Sequence, residues 1–210
     1  MRTLVIDTAT AACSVALIEA GGVVAHSHDV VGRGHAEQLL PMIAALPNGG
    51  RADRILVDVG PGSFTGVRVG LAAAQGLAFG WQVFAAGYSS LALVAAAALR
   101  SRGDAGIRAG DVAAVLEAGH GEVFMQRFAP DLTPRGDPAS MPPAAAAALI
   151  GDVPAFGSGV GRLAGLADDL HQALPDAADA VLLPPPLAGL PLTPLYCRAP
   201  DALLPGQRRA

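Results

Sequence analysis

The sequence predicts a mixed α/β protein whose two halves each open on strand-hairpin material and continue into helices. Three observations carry this. Short apolar, β-branched runs such as Leu4-Val5-Ile6 and Ile55-Leu56-Val57 have the length and composition of buried strands. Longer alanine- and leucine-rich stretches between such runs have helical spacing. Glycine, proline and asparagine punctuate the boundaries, as at Gly21-Gly22 and Asn48-Gly49-Gly50.

Residues 3–7 read as a strand ending at Asp7. After a polar turn, 14–19 is a second strand, and Gly21-Gly22 turns the chain into a third over 23–31. Leu39, Leu40, Ile43 and Leu46 share one face of a helix over 35–46, which Asn48-Gly49-Gly50 ends. A strand over 54–59 and a helix over 66–80 flank a tight loop, with Ser63 or Thr65 placed to cap the helix. Another strand follows at 83–86, and Ser89 or Ser90 starts an alanine-rich helix to about residue 100. Strands near 112–117 and 122–128 form a hairpin around Gly119-His120-Gly121. A helix over 142–150 carries Pro142 or Pro143 in its first turn. The turn Phe156-Gly157-Ser158-Gly159 leads into a helix over 160–173, and the proline-rich tail from 184 is largely irregular. This order predicts an N-terminal lobe over 1–100 and a smaller C-terminal lobe over 101–210.

The 210 residues are 52% hydrophobic and 15% charged, enough apolar material for a sizeable core. The longest apolar run, over 91–99, is too short to span a bilayer, and Asp7 comes too early for a signal-peptide apolar segment. A soluble cytoplasmic protein with no membrane contact is expected. Cys13 and Cys197 lie far apart and read as free, buried or half-buried thiols. All 14 basic residues are arginine, which excludes a P-loop lysine and lysine-based covalent chemistry. With net charge −4 and no basic run but Arg208-Arg209, the chain is a poor autonomous ligand for a polyanion such as tRNA.

The most specific stretch is Val57-Asp58-Val59-Gly60-Pro61-Gly62-Ser63-Phe64-Thr65-Gly66-Val67-Arg68-Val69-Gly70. Spacing makes it a strand-to-helix junction whose unpaired N–H groups suit an anion, or equally a well-capped turn without a ligand. Its wording resembles the signature loop of the TsaB family, bacterial partner proteins in making the threonylcarbamoyl modification of adenosine in tRNA. The resemblance extends in order over nearly the whole chain. It takes in Leu4-Val5-Ile6-Asp7-Thr8-Ala9-Thr10 with Ala12-Cys13-Ser14-Val15-Ala16-Leu17, and Arg33-Gly34-His35 before Leu39-Leu40-Pro41-Met42. It continues through Ala74-Gln75-Gly76-Leu77-Ala78-Phe79-Gly80, Gly121-Glu122-Val123-Phe124 and Pro194-Leu195-Tyr196-Cys197-Arg198.

The resemblance implies an actin/Hsp70/sugar-kinase-like fold with two lobes, here with the second trimmed. It implies a non-catalytic subunit that pairs with a TsaD-like catalytic subunit and a TsaE-like ATPase, forms a homodimer when alone, and meets tRNA only through the complex. The acceptor would be N6 of the adenosine adjacent to the anticodon, and the donor threonylcarbamoyl-adenylate. No cofactor of its own is implied, with a nucleotide at a complex interface left open. The chain departs from the family where Asp58-Val59 replaces a common Gly-Arg and Glu117-Ala118-Gly119-His120 a common Asp-Ala-Arg-Met. The link over 47–53 is short, and no helix precedes Pro194.

In an actin-like fold, Asp7, Thr8 and Thr10 stand at the first phosphate loop, with Gly62, Ser63 and Thr65 opposite. Each could instead satisfy local turn amides, and the family favours a vestigial loop. Gly66, Gly70, Ala74 and Ala78 recur every four residues and form a small-residue strip that faces either the protein's own sheet or a neighbouring helix. The resemblance selects a helical-bundle interface, to which His35, Leu39 and Met42 would contribute. No metal is expected: His35 has Leu39 where the catalytic relative TsaD carries a second histidine, and His26-x-His28 is a lone pair on a strand. No serine has a His/Asp partner in a recognisable pattern. An actin-like enzyme that hydrolyses ATP or phosphorylates a small molecule is the main alternative; a metallopeptidase lacks ligands.

Overall fold

A computed structural model describes residues 1–107 and 110–197. Five strands form the first sheet: β1 (Arg2–Asp7), β2 (Ala12–Glu19), β3 (Gly22–Val30), β4 (Arg54–Asp58) and β5 (Phe84–Tyr88). Their order is β3-β2-β1-β4-β5, antiparallel from β3 to β1 and parallel from β1 to β5. A second sheet holds β6 (Val112–Glu117), β7 (Val123–Phe128), β8 (Ala139–Met141), β9 (Ala155–Phe156) and β10 (Leu170–His171). Its order, β8-β7-β6-β9-β10 read from the other edge, repeats the first sheet strand for strand, including which pairs are parallel.

The helices occupy three layers. Helices α1 (His35–Ala45) and α2 (Phe64–Trp81) cover one face of the first sheet through a core that includes Leu4, Ile6, Leu39, Val57 and Leu71. Helix α3 (Ser90–Asp104) lies between the sheets, where Leu91, Leu93 and Ala95 meet Val5 and Tyr88 on one side and Val112, Leu116 and Phe128 on the other. Its first two turns are buried nearly all round, so alanine is the side chain that two flanking sheets leave room for. Helix α4 (Pro143–Ile150) covers the far face of the second sheet, with Pro143 in its first turn.

Most elements fall where the sequence places them, within two residues. The β2–β3 turn is Ala20-Gly21, one residue earlier than expected, since Glu19 pairs with Gly22 and both turn residues have positive φ. Helix α3 runs four residues further. The expected helix over 160–173 does not form: a 3-10 turn at Val160–Leu163 is followed by β10. Gly159, Gly161 and Gly165 break this stretch, and Gly165 has φ +76°. The stretch is the counterpart of the β4–α2–β5 crossover, shortened to one turn, and this is the trimming of the second half. Residues 188–196 return to the first sheet as an extended strap. Gly87 and Leu190 exchange backbone hydrogen bonds of 2.7 and 2.9 Å, and Leu195 N–H donates to Val59 O at 2.7 Å. Arg198 and Arg208-Arg209 lie outside the described residues. No helix among the described residues is long and apolar enough to cross a membrane.

Candidate functional site

Strands β1 and β4 run parallel with Ile6 beside Val57, so both end on a carboxylate, Asp7 and Asp58, at the same edge. The chain leaves β1 through Thr8-Ala9-Thr10 and leaves β4 through Gly60-Pro61-Gly62, with a cis bond before Pro61. Ser63 then caps α2, its Oγ accepting from Gly66 N–H at 3.3 Å.

The two loops are packed against each other. Ser63 N–H donates to Ala9 O at 2.6 Å, and Thr8 Oγ1 donates to Gly66 O at 2.7 Å. A Cβ on Gly62 would lie 2.2 Å from Ala9 O, one on Gly66 2.0 Å from Thr8 O, and one on Gly70 2.6 Å from Thr8 Oγ1. Glycine is required at 62 and 66 because backbone meets backbone there. Of the phosphate-loop candidates, Asp7 and Thr8 are buried, Thr10 and Gly62 are half-buried, and Ser63 and Thr65 are exposed. The hydroxyls of Thr8 and Ser63 are committed to α2, and Thr10 Oγ1 accepts from Ala12 N–H at 3.3 Å. Between Thr8-Ala9 and the first turn of α2, the space a phosphate would need is filled by the chain itself.

Beneath the loops lies a polar cluster that composition and spacing did not single out. Asp7 Oδ1 accepts from Ala9 N–H at 3.3 Å and Oδ2 from Tyr88 Oη at 3.1 Å. Asp58 Oδ1 accepts from Gly60 N–H at 2.6 Å, while Ser90 Oγ lies 2.6 Å from Asp58 Oδ2 and 3.0 Å from Pro61 O. The two carboxyls are hydrogen-bonded to each other. Burial raises both pKa values, and for Asp58, raised well above the ordinary carboxylate range, the adjacent Asp7 charge adds to it. Two carboxyls this close and this buried do not both stay ionised, so the pair shares a proton. Burial likewise pushes the Tyr88 phenol well above its usual value. The legible signal was two parallel apolar strands that each end in aspartate.

The interface candidates need correction. His35 is buried, with Nε2 3.1 Å from Ala12 O; it ties α1 to β2. Leu39 and Met42 face the sheet under α1, at 1% and 7% exposure. Gly66, Gly70 and Ala74 are buried against β1 and the Thr8 turn, and Ala78 packs on the same core, so the strip faces the protein's own sheet. Small residues there let α2 approach the sheet closely. The outward side of α1 carries Leu40, Pro41 and Ala44, and that of α2 carries Arg68, Ala72, Gly76 and Phe79. Leu40 is 53% and Phe79 80% exposed.

His28 Nδ1 stands 3.5 Å from Asp176 Oδ2, and among the described residues no His, Cys, Asp or Glu trio is placed to hold a metal ion. Cys13 is buried and Cys197 half-buried, and burial pushes each thiol up to about 11.

A duplicated two-sheet architecture with facing loops at the ends of its central strands defines the actin-like class, here with those loops closed on each other. The model of the family described as TsaD, tRNA N6-adenosine threonylcarbamoyltransferase, matches residues 10–136. The Escherichia coli tRNA threonylcarbamoyladenosine biosynthesis protein TsaB is 42% identical over 139 residues, covering 62% of this chain and 56% of that protein. This match and that to the Haemophilus influenzae TsaB thus span about half the length of those relatives. An uncharacterised Mycobacterium tuberculosis protein is 32% identical over 95% of this chain and 92% of its own length. The solved structure of YeaZ from Pseudomonas aeruginosa superposes with a TM-score of 0.78 at 31% identity, covering 93% of this chain and 99% of that one. The chain belongs to the TsaB family.

Proposed function

We propose that this chain is a non-catalytic subunit in the biosynthesis of threonylcarbamoyladenosine in tRNA. It would bind and support a TsaD-like catalytic subunit, working with a TsaE-like ATPase on N6 of the adenosine next to the anticodon. The observation that carries the non-catalytic reading is the closed pair of loops: Gly62 and Gly66 hold backbone against Ala9 and Thr8 where an actin-like enzyme holds phosphate. Asp7, the aspartate such an enzyme would use, is fully buried and bonded to Tyr88. Names borne by the TsaB relatives support the pathway.

The outward faces of α1 and α2 are the surface on which we place both the catalytic partner and, for the chain alone, a second copy. One surface serving both makes the two assemblies mutually exclusive. We keep the division into lobes 1–100 and 101–210, cytoplasmic location, and contact with tRNA through the complex as parts of the same reading. Its test is reconstitution: TsaD- and TsaE-type subunits with threonylcarbamoyl-adenylate and tRNA should form the modified base only when this chain is added. Formation of the product without it, or Mg²⁺-dependent ATP turnover by the isolated chain that Asp7→Ala abolishes, would overturn the proposal.

A further inference from the structure

At the start of α2 an exposed trio is assembled from two segments 128 residues apart in sequence. The Arg68 guanidinium lies over the Phe64 ring, with Cζ 3.2 Å from the centroid, and 5.6 Å from that of Tyr196. Phe64 and Tyr196 stack at 6.3 Å with 28° between their planes. Arg68 Nη1 donates to Phe64 O at 3.2 Å and Nη2 to the Tyr196 hydroxyl at 2.5 Å. Tyr196 is held in place by the strap, through Leu195 N–H on Val59 O at 2.7 Å. Yet Phe64 is 66% and Tyr196 56% exposed.

Two aromatic rings left mostly in water bury little apolar area for the folded chain; further burial would have to come from association. Among the described residues Arg68 has no carboxylate within 4 Å, unlike Arg2, Arg100, Arg102, Arg127, Arg135 and Arg162; Arg33, Arg51 and Arg54 have none either, but Arg54 is held by Ala188 O and Arg51 lies over the Trp81 ring. Two of the five N–H groups of Arg68 are used, and those two bonds fix the direction in which the remaining edge points. Phe, Tyr and Arg, already immobilised, make the kind of anchor that dominates protein interfaces, because little rotamer freedom remains to be lost.

We propose that Phe64, Arg68 and Tyr196 form the anchor of the partner-binding face and receive an acidic segment of the partner protein, one carboxylate on the free edge of Arg68 and an apolar neighbour on the rings. This rests on the reading of the chain as a partner subunit. Arg68, Ala72 and Gly76 follow one another at four-residue spacing, so the anchor continues the outward face of α2. A carboxylate is favoured over a nucleic acid. The rigid fork offers bidentate geometry for one carboxylate, while a polyanion needs many cations and this chain carries net charge −4.

The test is calorimetric binding of the TsaD-type subunit from the same source to the full chain, at two salt concentrations. Arg68→Ala should weaken binding by about tenfold or more and flatten its salt dependence. Arg68→Lys should fail to restore it, since the fork and not the charge alone is used. Tyr196→Phe, which removes only the hydroxyl that holds Arg68, should cost a smaller factor. All three should melt at the wild-type temperature. Wild-type binding that none of these variants changes would overturn the anchor and leave the proposed function standing. No binding by the wild-type chain would remove the proposed function, and the anchor's occupant with it. Loss of tRNA binding by the complex with unchanged subunit affinity would assign the trio to nucleic acid and also overturn the proposal.

Discussion

Gly66→Ala puts the packing of α2 on the first loop to a direct test. In a helix interior this change is ordinarily stabilising by about 0.5–1 kcal/mol, because glycine loses more backbone freedom on folding. Here the new Cβ would sit 2.0 Å from Thr8 O, a backbone atom that cannot rotate away. An ordinary contact is about 3.4 Å, so loop and helix must part by more than about 1 Å; overpacking of this kind costs about 1–3 kcal/mol. Separation also breaks the 2.7 Å bond from Thr8 Oγ1 to Gly66 O, worth about 1 kcal/mol. The net expectation is a loss of about 2 kcal/mol, or about 4–8 °C in Tm for a chain of this size. Gly103→Ala is the control: it lies in α3 with nothing within 4 Å of its Cβ, and should be neutral or slightly stabilising. Urea unfolding followed by circular dichroism measures both against wild type. Gly66→Ala as stable as Gly103→Ala would refute the closed-loop geometry, and with it the argument against a phosphate site.

Three further outcomes follow from the same structure. Because Asp58 has its folded pKa raised, its contribution to stability is complete below the unfolded value, near 4, and is lost as pH rises through the folded value. Asp58→Asn keeps the shape without the titration, so stability above pH 4 should depend less on pH and exceed wild type at pH 8 by about 1–3 kcal/mol; an unchanged pH profile would contradict the shared proton. Gly76→Leu, on the outward side of α2 where a Cβ meets nothing within 4 Å, should not lower Tm but should weaken self-association and partner binding by sedimentation, and unaltered association would remove α2 from the interface. The isolated chain should bind tRNA only weakly at physiological salt, and sub-micromolar affinity in filter binding would show a basic surface that composition conceals.

Strand and helix periodicity placed β1 to β7 and all four α-helices, because buried strands and amphipathic helices must repeat at periods set by the backbone, but the two- and three-residue strands β8, β9 and β10 are too short to show a period. The segment over 160–173 failed because apolar residues at helical spacing cannot outweigh its two glycines, Gly161 and Gly165. The glycine loop and its neighbouring strands were legible as a junction, and their wording led to the family. Local pattern could not orient the strip Gly66, Gly70, Ala74 and Ala78. Glycine and alanine are compatible with either face of a helix, and only the position of Thr8 shows which way they point. Asp58 stood out only as a departure from the family's wording; the parallel register of β1 and β4 sets it beside Asp7, where burial raises both carboxyls. The meeting of Arg68 with Tyr196, 128 residues apart, depends on a strap that returns across the first sheet. Composition and period thus settled the elements, the absence of lysine chemistry and the likeness to a family. Which side chains face the core, which carboxyls share a proton and which arginines meet a carboxylate were decided by tertiary contacts, since burial and electrostatics depend on neighbours that sequence distance does not encode.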